Sequence, residues 1–451
     1  MAEVIPFVNE GLGNSSYLIA LDDDVAVMVD PDRSVGRYLR EAEARGLRIA
    51  AVFETHLHAD FVTGALELAH AKGATIYAPA AAHLKYGHHA LKGEDSVRLA
   101  NSEIEAVTSP GHTPEHLSYV LRAESQPPFL FSGGSLIVGG AARTDLVSPQ
   151  MTESLSRDQF RTLKRSFTHL PDETGLYPTH GGGSFCSAGA GGPRISTLGA
   201  ERRGNPLLEI DDEEEFVQTF LATFPAAPAY FFRMRDFNIA GPRLSAEIDP
   251  PRALAPADFE REMSGATVLD VRPIGEYSEG HIPGSLHIAF RESYATWLGW
   301  IVPEDARLLF VLGDADLRQV VEESLLVGYE RFGGYLAGDI AAWKESGRAV
   351  RGTELVPVSE AAAAIENAAL PLDVRETSEF AEGHIPGALN IPLGQLAHEL
   401  DQIPRDRPIV AYCGHGERAS TGLSLLEAAG FRNTVSLSGG MEAWDRHQKR
   451  V

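Results

Sequence analysis

Val268-Leu-Asp-Val-Arg-Pro-Ile-Gly-Glu-Tyr-Ser-Glu-Gly-His-Ile-Pro-Gly284 returns later in the chain as Pro371-Leu-Asp-Val-Arg-Glu-Thr-Ser-Glu-Phe-Ala-Glu-Gly-His-Ile-Pro-Gly387. Asp270 corresponds to Asp373, an offset of 103. Gly338-Asp-Ile-Ala-Ala-Trp343 is echoed by Gly440-Met-Glu-Ala-Trp444. Self-similarity at a fixed period marks a duplicated structural unit. The expected copies span 252–352 and 355–451, each the size of one small domain. Within each, short apolar strands alternate with helical patterns. In the second copy Ile409-Val-Ala-Tyr412 reads as a buried strand and 419–429 as the next helix. Such alternation predicts a parallel sheet flanked by helices.

Outside the repeat, 451 residues leave room for roughly one more large domain. Hydrophobic residues make up 43% and charged residues 23%, the balance of a globular chain. No apolar run reaches the length of a membrane span. The start, MAEVIPFVNEGLG, lacks a basic segment followed by an apolar one, so no secretory signal is expected. The two cysteines, Cys186 and Cys413, lie in unrelated contexts. Reduced thiols and a cytoplasmic location are the simpler expectation. A formal net charge of -24 argues against nucleic acid as a partner.

The first 200 residues follow another pattern. Val25-Ala-Val-Met-Val-Asp30 and Ile49-Ala-Ala-Val-Phe-Glu-Thr55 read as strands. A helix is expected after Pro31 and another from about Gly64 to Lys72. Leu117 to Arg122 and Pro128 to Ser132 suggest a hairpin. The stretch 200–250 reads as a connector that packs on its neighbours, because its Phe and Tyr content is too high for a free linker.

Cys413 follows a buried strand and precedes a helix, in Cys413-Gly-His-Gly-Glu-Arg418. A turn of this kind aims several backbone N–H groups at one point beside a helix N-terminus. Arg418 adds positive charge, and the whole favours an accessible thiolate able to hold sulfur as a persulfide. A buried structural cysteine is the bland alternative. A phosphatase loop is the nearer one, but Arg418 falls one residue short of the Cys-x5-Arg spacing. The Asp-Val-Arg and Glu-Gly-His-Ile-Pro-Gly segments together with this loop resemble the rhodanese family. That resemblance implies an active-site loop of Cys413, Gly414, His415, Gly416, Glu417 and Arg418, with thiosulfate, persulfides or polysulfides as donors. Asp373, Arg375 and His384 read as scaffold. Aligning Leu308-Leu-Phe-Val-Leu312 with 408–412 sets Gly313 opposite Cys413, so the first copy is expected to be catalytically silent.

Near the N-terminus, Thr55-His-Leu-His-Ala-Asp60 places His56, His58 and Asp60 in a loop after a strand. Pro110-Gly-His112 and Pro178-Thr-His180 add two more histidines after strand-like stretches. Imidazoles from separate strand ends are a usual way to gather a metal at a sheet edge. These motifs, with Ala142-Arg-Thr-Asp145, resemble the metallo-β-lactamase superfamily and most of all its persulfide dioxygenase branch. The resemblance covers roughly 1–245, connector included. It implies an αββα sandwich, and for the whole chain a multidomain α/β persulfide dioxygenase–sulfurtransferase.

Two positions depart from that pattern. Phe61 stands where the superfamily usually has a further histidine. Gly134 stands where the family usually has an iron-binding aspartate. His56 and His112 match the two histidines of a non-haem Fe(II) site, whose carboxylate is then missing. Asp60 could supply it, His58 could complete a three-histidine site, or the site could be degenerate. Asp145 lies outside the expected ligands. His83, His88 and His89 read as surface residues, His116 as solvated or capping first and as a residue lining the site second. Cys186 reads as a structural thiol near the mouth, or alternatively as a contact for sulfur substrates.

The function expected first is a coupled sulfur enzyme with one Fe(II) per chain. Its partners would be small thiols, persulfides, thiosulfate or sulfite, and the resemblance points to a homodimer. The alternatives are a Zn(II) hydrolase of thioester-like bonds and a non-catalytic docking domain, either one fused to an active rhodanese.

Overall fold

Successive residues of the N-terminal strands face opposite ways. Tyr17, Ile19, Val27, Val29, Ala51 and Phe53 meet Ile104, Ala106, Tyr119, Leu121 and Phe131 in one buried core. Their neighbours Leu18, Ala26, Met28 and Val52 pack instead on Tyr38, Ala42, Ala65 and Leu68. This period-2 alternation is what a sheet buried on both faces requires. The computed structural model describes residues 1–188 and 192–449. The last two residues of the 355–451 expectation lie outside the described residues.

The first sheet runs in chain order through Glu3–Asn9, Asn14–Ala20, Val25–Val29, Arg48–Phe53, Thr75–Pro79 and His89–Leu91. The second is ordered Ser196–Thr197, Gly175–Pro178, Phe129–Gly133, Leu117–Ala123, Ser102–Thr108 and Ser96–Leu99. The expected hairpin is present, with Phe129 opposite Leu121 in an antiparallel pair. Helices Gly36–Ala44 and Ala65–Lys72 cover the outer face of the first sheet. Thr152–Arg165 and Glu213–Leu221 cover that of the second. The last of these starts where the Asp212 side chain accepts the Glu215 N–H at 2.8 Å. The result is an αββα sandwich. Burying each large apolar side chain between its layers contributes about 1.5–3 kcal/mol.

Each repeat is a five-stranded, all-parallel sheet. The first is ordered Ala253–Leu254, Phe332–Leu336, Leu308–Val311, Thr267–Asp270, Leu286–His287. The second is ordered Glu354–Val356, Thr434–Leu437, Ile409–Tyr412, Leu370–Asp373, Leu389–Asn390. Contacts divide the chain into two units, Met1–Ile248 with Glu322–Gly328, and Asp249–Val321 with Tyr329–Val451. No helix among the described residues is long and apolar enough to cross a membrane.

The register corrects one alignment. Asp270 pairs with Val311, and its counterpart Asp373 pairs with Tyr412. The residue after Val311 is Leu312, so Leu312 and not Gly313 occupies the position of Cys413. The first repeat still has no thiol there. Asp270 and Asp373 are fully buried, each bridged by the arginine two residues on, Arg272 at 2.6 Å and Arg375 at 2.7 Å. These pairs close the strand ends, as expected of scaffold residues.

Candidate metal centre and candidate thiol loop

The predicted N-terminal residues converge beyond the ends of several strands. His56, His58 and Asp60 follow Arg48–Phe53, His112 follows Ser102–Thr108, and His180 follows Gly175–Pro178. All five are buried. One donor atom from each of His56, His58 and His180 falls within 4.8 Å of the others. The ring centroids of His56 and His112 are 4.8 Å apart, those of His112 and His180 5.0 Å.

Hydrogen bonds set the tautomer of three of these rings. The Thr55 hydroxyl donates to Asp30 at 2.7 Å. It therefore accepts at 2.8 Å from His56 Nδ1, so the His56 Nε2 lone pair faces His180 Nε2 at 3.2 Å. His112 Nδ1 donates to the Arg143 carbonyl at 2.6 Å, leaving Nε2 free. His58 Nε2 donates to Glu54 at 3.1 Å and lies 3.3 Å from Asp30, leaving Nδ1 free. Carboxylates and carbonyls behind metal-binding imidazoles orient them in this way. His58 Nδ1 and His112 Nε2 are buried without a hydrogen-bond partner among the described residues; His180 Nδ1 and Asp60 make no hydrogen bond either, but His180 Nδ1 lies 3.3 Å from Asp60 Oδ2. Unpaired buried donors and acceptors are costly, and a cation among these groups would satisfy several of them. The donor set fits a bound metal ion.

The electrostatics agree. Burial and the neighbouring rings hold His56 and His112 well below the ordinary histidine range, so both are neutral. Burial would also lower His58, but the Asp30 and Glu54 carboxylates outweigh it and push it up to about 10. A metal at Nδ1 would displace that proton. Asp30 is the organiser that the sequence reading missed. It accepts from the Thr55 N–H at 2.7 Å and from the Thr179 hydroxyl, one residue before His180. Its only sequence signal is an acid at the end of an apolar strand. The segment 200–250 contributes directly as well, since Asn238 Nδ2 donates to the carbonyls of His58 and Phe61 at 3.0 Å each.

The two departures have physical consequences. Phe61 is fully buried and stacks on His58, centroids 4.2 Å apart. At Gly134 a Cβ would lie 2.4 Å from His112 Cδ2, so His112 occupies the space of any side chain there. Asp145 holds Arg143 at 2.7 Å instead of facing the ligands. His116 is not solvated. It is buried, with Nε2 accepting from the Gly134 N–H at 2.9 Å and Nδ1 at 2.9 Å from Ser109 Oγ. Burial pushes it down to about 3. His89 sits on a short exposed strand and His83 and His88 beside it, away from these groups. Cys186 itself is fully buried, on a loop whose Ser184, Phe185 and Ser187 line a cavity.

In the last repeat Cys413 ends strand Ile409–Tyr412, and helix Glu417–Ala428 begins four residues later. The Gly416 N–H donates to Cys413 Sγ at 3.1 Å, and Gly416 adopts φ 128°, open mainly to glycine. The expected accessible thiol is in fact 1% exposed, at the floor of the loop. Gly440 closes that floor, since a Cβ there would lie 2.3 Å from the Cys413 carbonyl oxygen. Arg418 does not point freely at the sulfur. It forms a bidentate pair with Glu379 at 2.6 and 2.8 Å, a partner the sequence reading did not name. His415 is exposed, 3.5 Å from Glu442.

Known proteins resemble parts of this chain. A curated sulfurtransferase of Allochromatium vinosum is 37% identical over 17% of this chain and 73% of its own length. A hydroxyacylglutathione hydrolase of Prochlorococcus marinus is 31% identical over 36% of this chain and 61% of its own. The mitochondrial persulfide dioxygenase of Homo sapiens is 28% identical over 42% of this chain and 68% of its own. A solved metallo-beta-lactamase of Staphylococcus aureus superposes with a TM-score of 0.67 at 29% identity, covering 74% of this chain and 99% of that one. The metallo-beta-lactamase superfamily matches residues 9–180, and the rhodanese-like domain matches 255–346 and again 357–447. The chain is therefore built of a metallo-beta-lactamase-fold domain followed by two rhodanese-like domains.

Proposed function

We propose that the N-terminal domain oxidises low-molecular-weight persulfides with O2 at a mononuclear Fe(II) centre, and that the last repeat transfers sulfane sulfur through a Cys413 persulfide. The observation that carries the first half is the convergence of buried, unpartnered lone pairs on His58 and His112 with the buried Asp60–His180 pair. His56, His58 and His112 would hold the metal, with Asp60 and His180 beside them. Bound Fe(II) supplies open positions for O2 and for sulfur. The chain's own residues do the rest. Asp30, Glu54, Thr55 and Arg143 fix the imidazole tautomers, and burial keeps bulk water away. The balanced reaction takes a persulfide, one O2 and one water to a thiol, sulfite and two protons. The human relative's name supports the oxidative half, and the Allochromatium vinosum relative's name the transfer half.

In the transfer step the Cys413 thiolate attacks the outer sulfur of thiosulfate. A Cys413 S–S bond forms, the thiosulfate S–S bond breaks, and sulfite leaves with its electron pair. An acceptor thiolate or cyanide then takes the outer sulfur and restores the thiolate. The Gly416 N–H stabilises negative charge on Sγ, and Arg418 adds positive charge nearby.

A zinc-dependent thioester hydrolase is the second reading, favoured by the match to a hydroxyacylglutathione hydrolase and by the absence of a carboxylate at Gly134. Anaerobic iron reconstitution followed by oxygen uptake with glutathione persulfide separates the two. Uptake no greater than in a His56→Ala control, with zinc in the protein as purified, would favour hydrolysis.

A further inference from the structure

We propose that Cys186 is a thiolate ligand of the N-terminal metal centre, in the anionic role left vacant at Gly134. The inference rests on reading that centre as a metal site. Cys186 Sγ lies within 4.8 Å of a donor atom on each of His112 and His180, and all three residues are fully buried. His112 Nε2 has no hydrogen-bond partner among the described residues, and His180 Nδ1 makes none either but lies 3.3 Å from Asp60 Oδ2.

One residue fixes the relative positions of thiol and imidazole. The Arg143 N–H donates to the Cys186 carbonyl at 2.8 Å, and the Arg143 carbonyl accepts from His112 Nδ1 at 2.6 Å. The Arg143 guanidinium reaches the adjacent Phe185 carbonyl at 3.1 Å. The Cys186 N–H is tied to Ser184 Oγ at 3.1 Å. The Cys186 backbone is thus held from both sides while its sulfur faces the unsatisfied rings.

The charge argument is independent of that geometry. No side chain fits at position 134 with His112 as placed. The neutral imidazoles bring no charge to balance a divalent cation, and Asp60 brings one negative charge. A second comes from Cys186, whose thiol gives its proton to solvent as the sulfur–metal bond forms, with no change of oxidation state. Burial keeps the metal-free thiol protonated, and a coordinating metal deprotonates a thiol outright. Imidazole with thiolate is a soft donor set, suited to zinc or iron and poorly suited to magnesium or calcium.

The chain has only two cysteines, so sulfur ligation can be assigned. Metal-stripped full-length Cys413→Ser protein is titrated with cobalt(II) chloride. The inference expects visible ligand-field bands together with a thiolate-to-cobalt charge-transfer band in the near ultraviolet. Replacing Cys186 by Ser in that background should remove the charge-transfer band, keep the ligand-field bands and weaken cobalt binding about tenfold or more. Should that double variant fail to fold, X-ray absorption on zinc-loaded Cys413→Ser protein reads the same ligand, as one sulfur at about 2.3 Å. Ligand-field bands without charge transfer, or a zinc shell without sulfur, overturn the Cys186 assignment and leave the metal centre standing. No cobalt bands at all overturn both.

Discussion

His56 Nε2 lies 3.2 Å from His180 Nε2, and both rings are buried. The His56 ring gives its proton at Nδ1 to Thr55, so its Nε2 lone pair faces the other ring. Two imidazole nitrogens this close share a proton or flank a cation. Metal loading should therefore stabilise the N-terminal domain. At free metal a hundredfold above Kd the gain is about 2.7 kcal/mol. Calorimetric unfolding with and without a chelator reads it, and an unchanged Tm would count against the site.

Asp30→Asn tests the support behind the ligands. Asp30 meets Thr55, Thr179 and His58, so the change disturbs three of its partners at once. Metal affinity should fall about 10–100-fold, the usual effect of losing a group that orients a ligand. Competition against a chromophoric chelator measures it. The domain should stay folded by circular dichroism.

Gly134→Asp supplies the carboxylate that the family resemblance leads one to expect there, yet it should not improve the site. The new Cβ would collide with His112. Metal stoichiometry should drop, because His112 must move to admit the side chain. A gain in bound iron would show that His112 relocates without penalty.

Cys413→Ser should abolish sulfur transfer from thiosulfate to cyanide, with no residual rate from the first repeat. Leu312 stands at the equivalent position there and cannot carry sulfur. Any turnover that survives would place the nucleophile elsewhere.

Acid should uncouple the loop before it unfolds the sheet. Burial would raise the Glu379 carboxyl, but the paired Arg418 outweighs it and holds it below the ordinary 4.5. A depressed carboxylate contributes stability above its unfolded value, lost as pH falls through the folded one. Transfer activity should therefore drop below about pH 4.5 in the wild type. Glu379→Gln should show the lower kcat already at neutral pH, because Arg418 loses its charged partner.

The silent repeat supports the active one. His287 Nε2 donates to the Arg272 carbonyl at 2.8 Å, so its Nδ1 accepts from Ser420 Oγ at 2.7 Å, on the helix that follows Cys413. Ser420→Ala leaves that nitrogen buried and unpaired, at about 1–3 kcal/mol. Urea unfolding followed by tryptophan fluorescence should register the loss.

Much of this was legible in the chain itself. The duplicated Asp-Val-Arg and Glu-Gly-His-Ile-Pro-Gly segments determined two parallel-sheet domains, because repeats and strand periodicity are local signals. The residues after each apolar strand, His56, His112, His180 and Cys413, were readable for the same reason. What each side chain does there was decided only by tertiary structure. Asp30 and Thr179 are 149 positions apart, and His112 and Arg143 are 31 apart. No local pattern encodes such pairings. Strand register put Leu312 opposite Cys413, packing filled the Gly134 space with His112, and loop closure brought Cys186 to the imidazoles. Hydrogen bonds and close packing act over a few ångströms, so they depend on where the fold delivers each residue and not on its place along the chain.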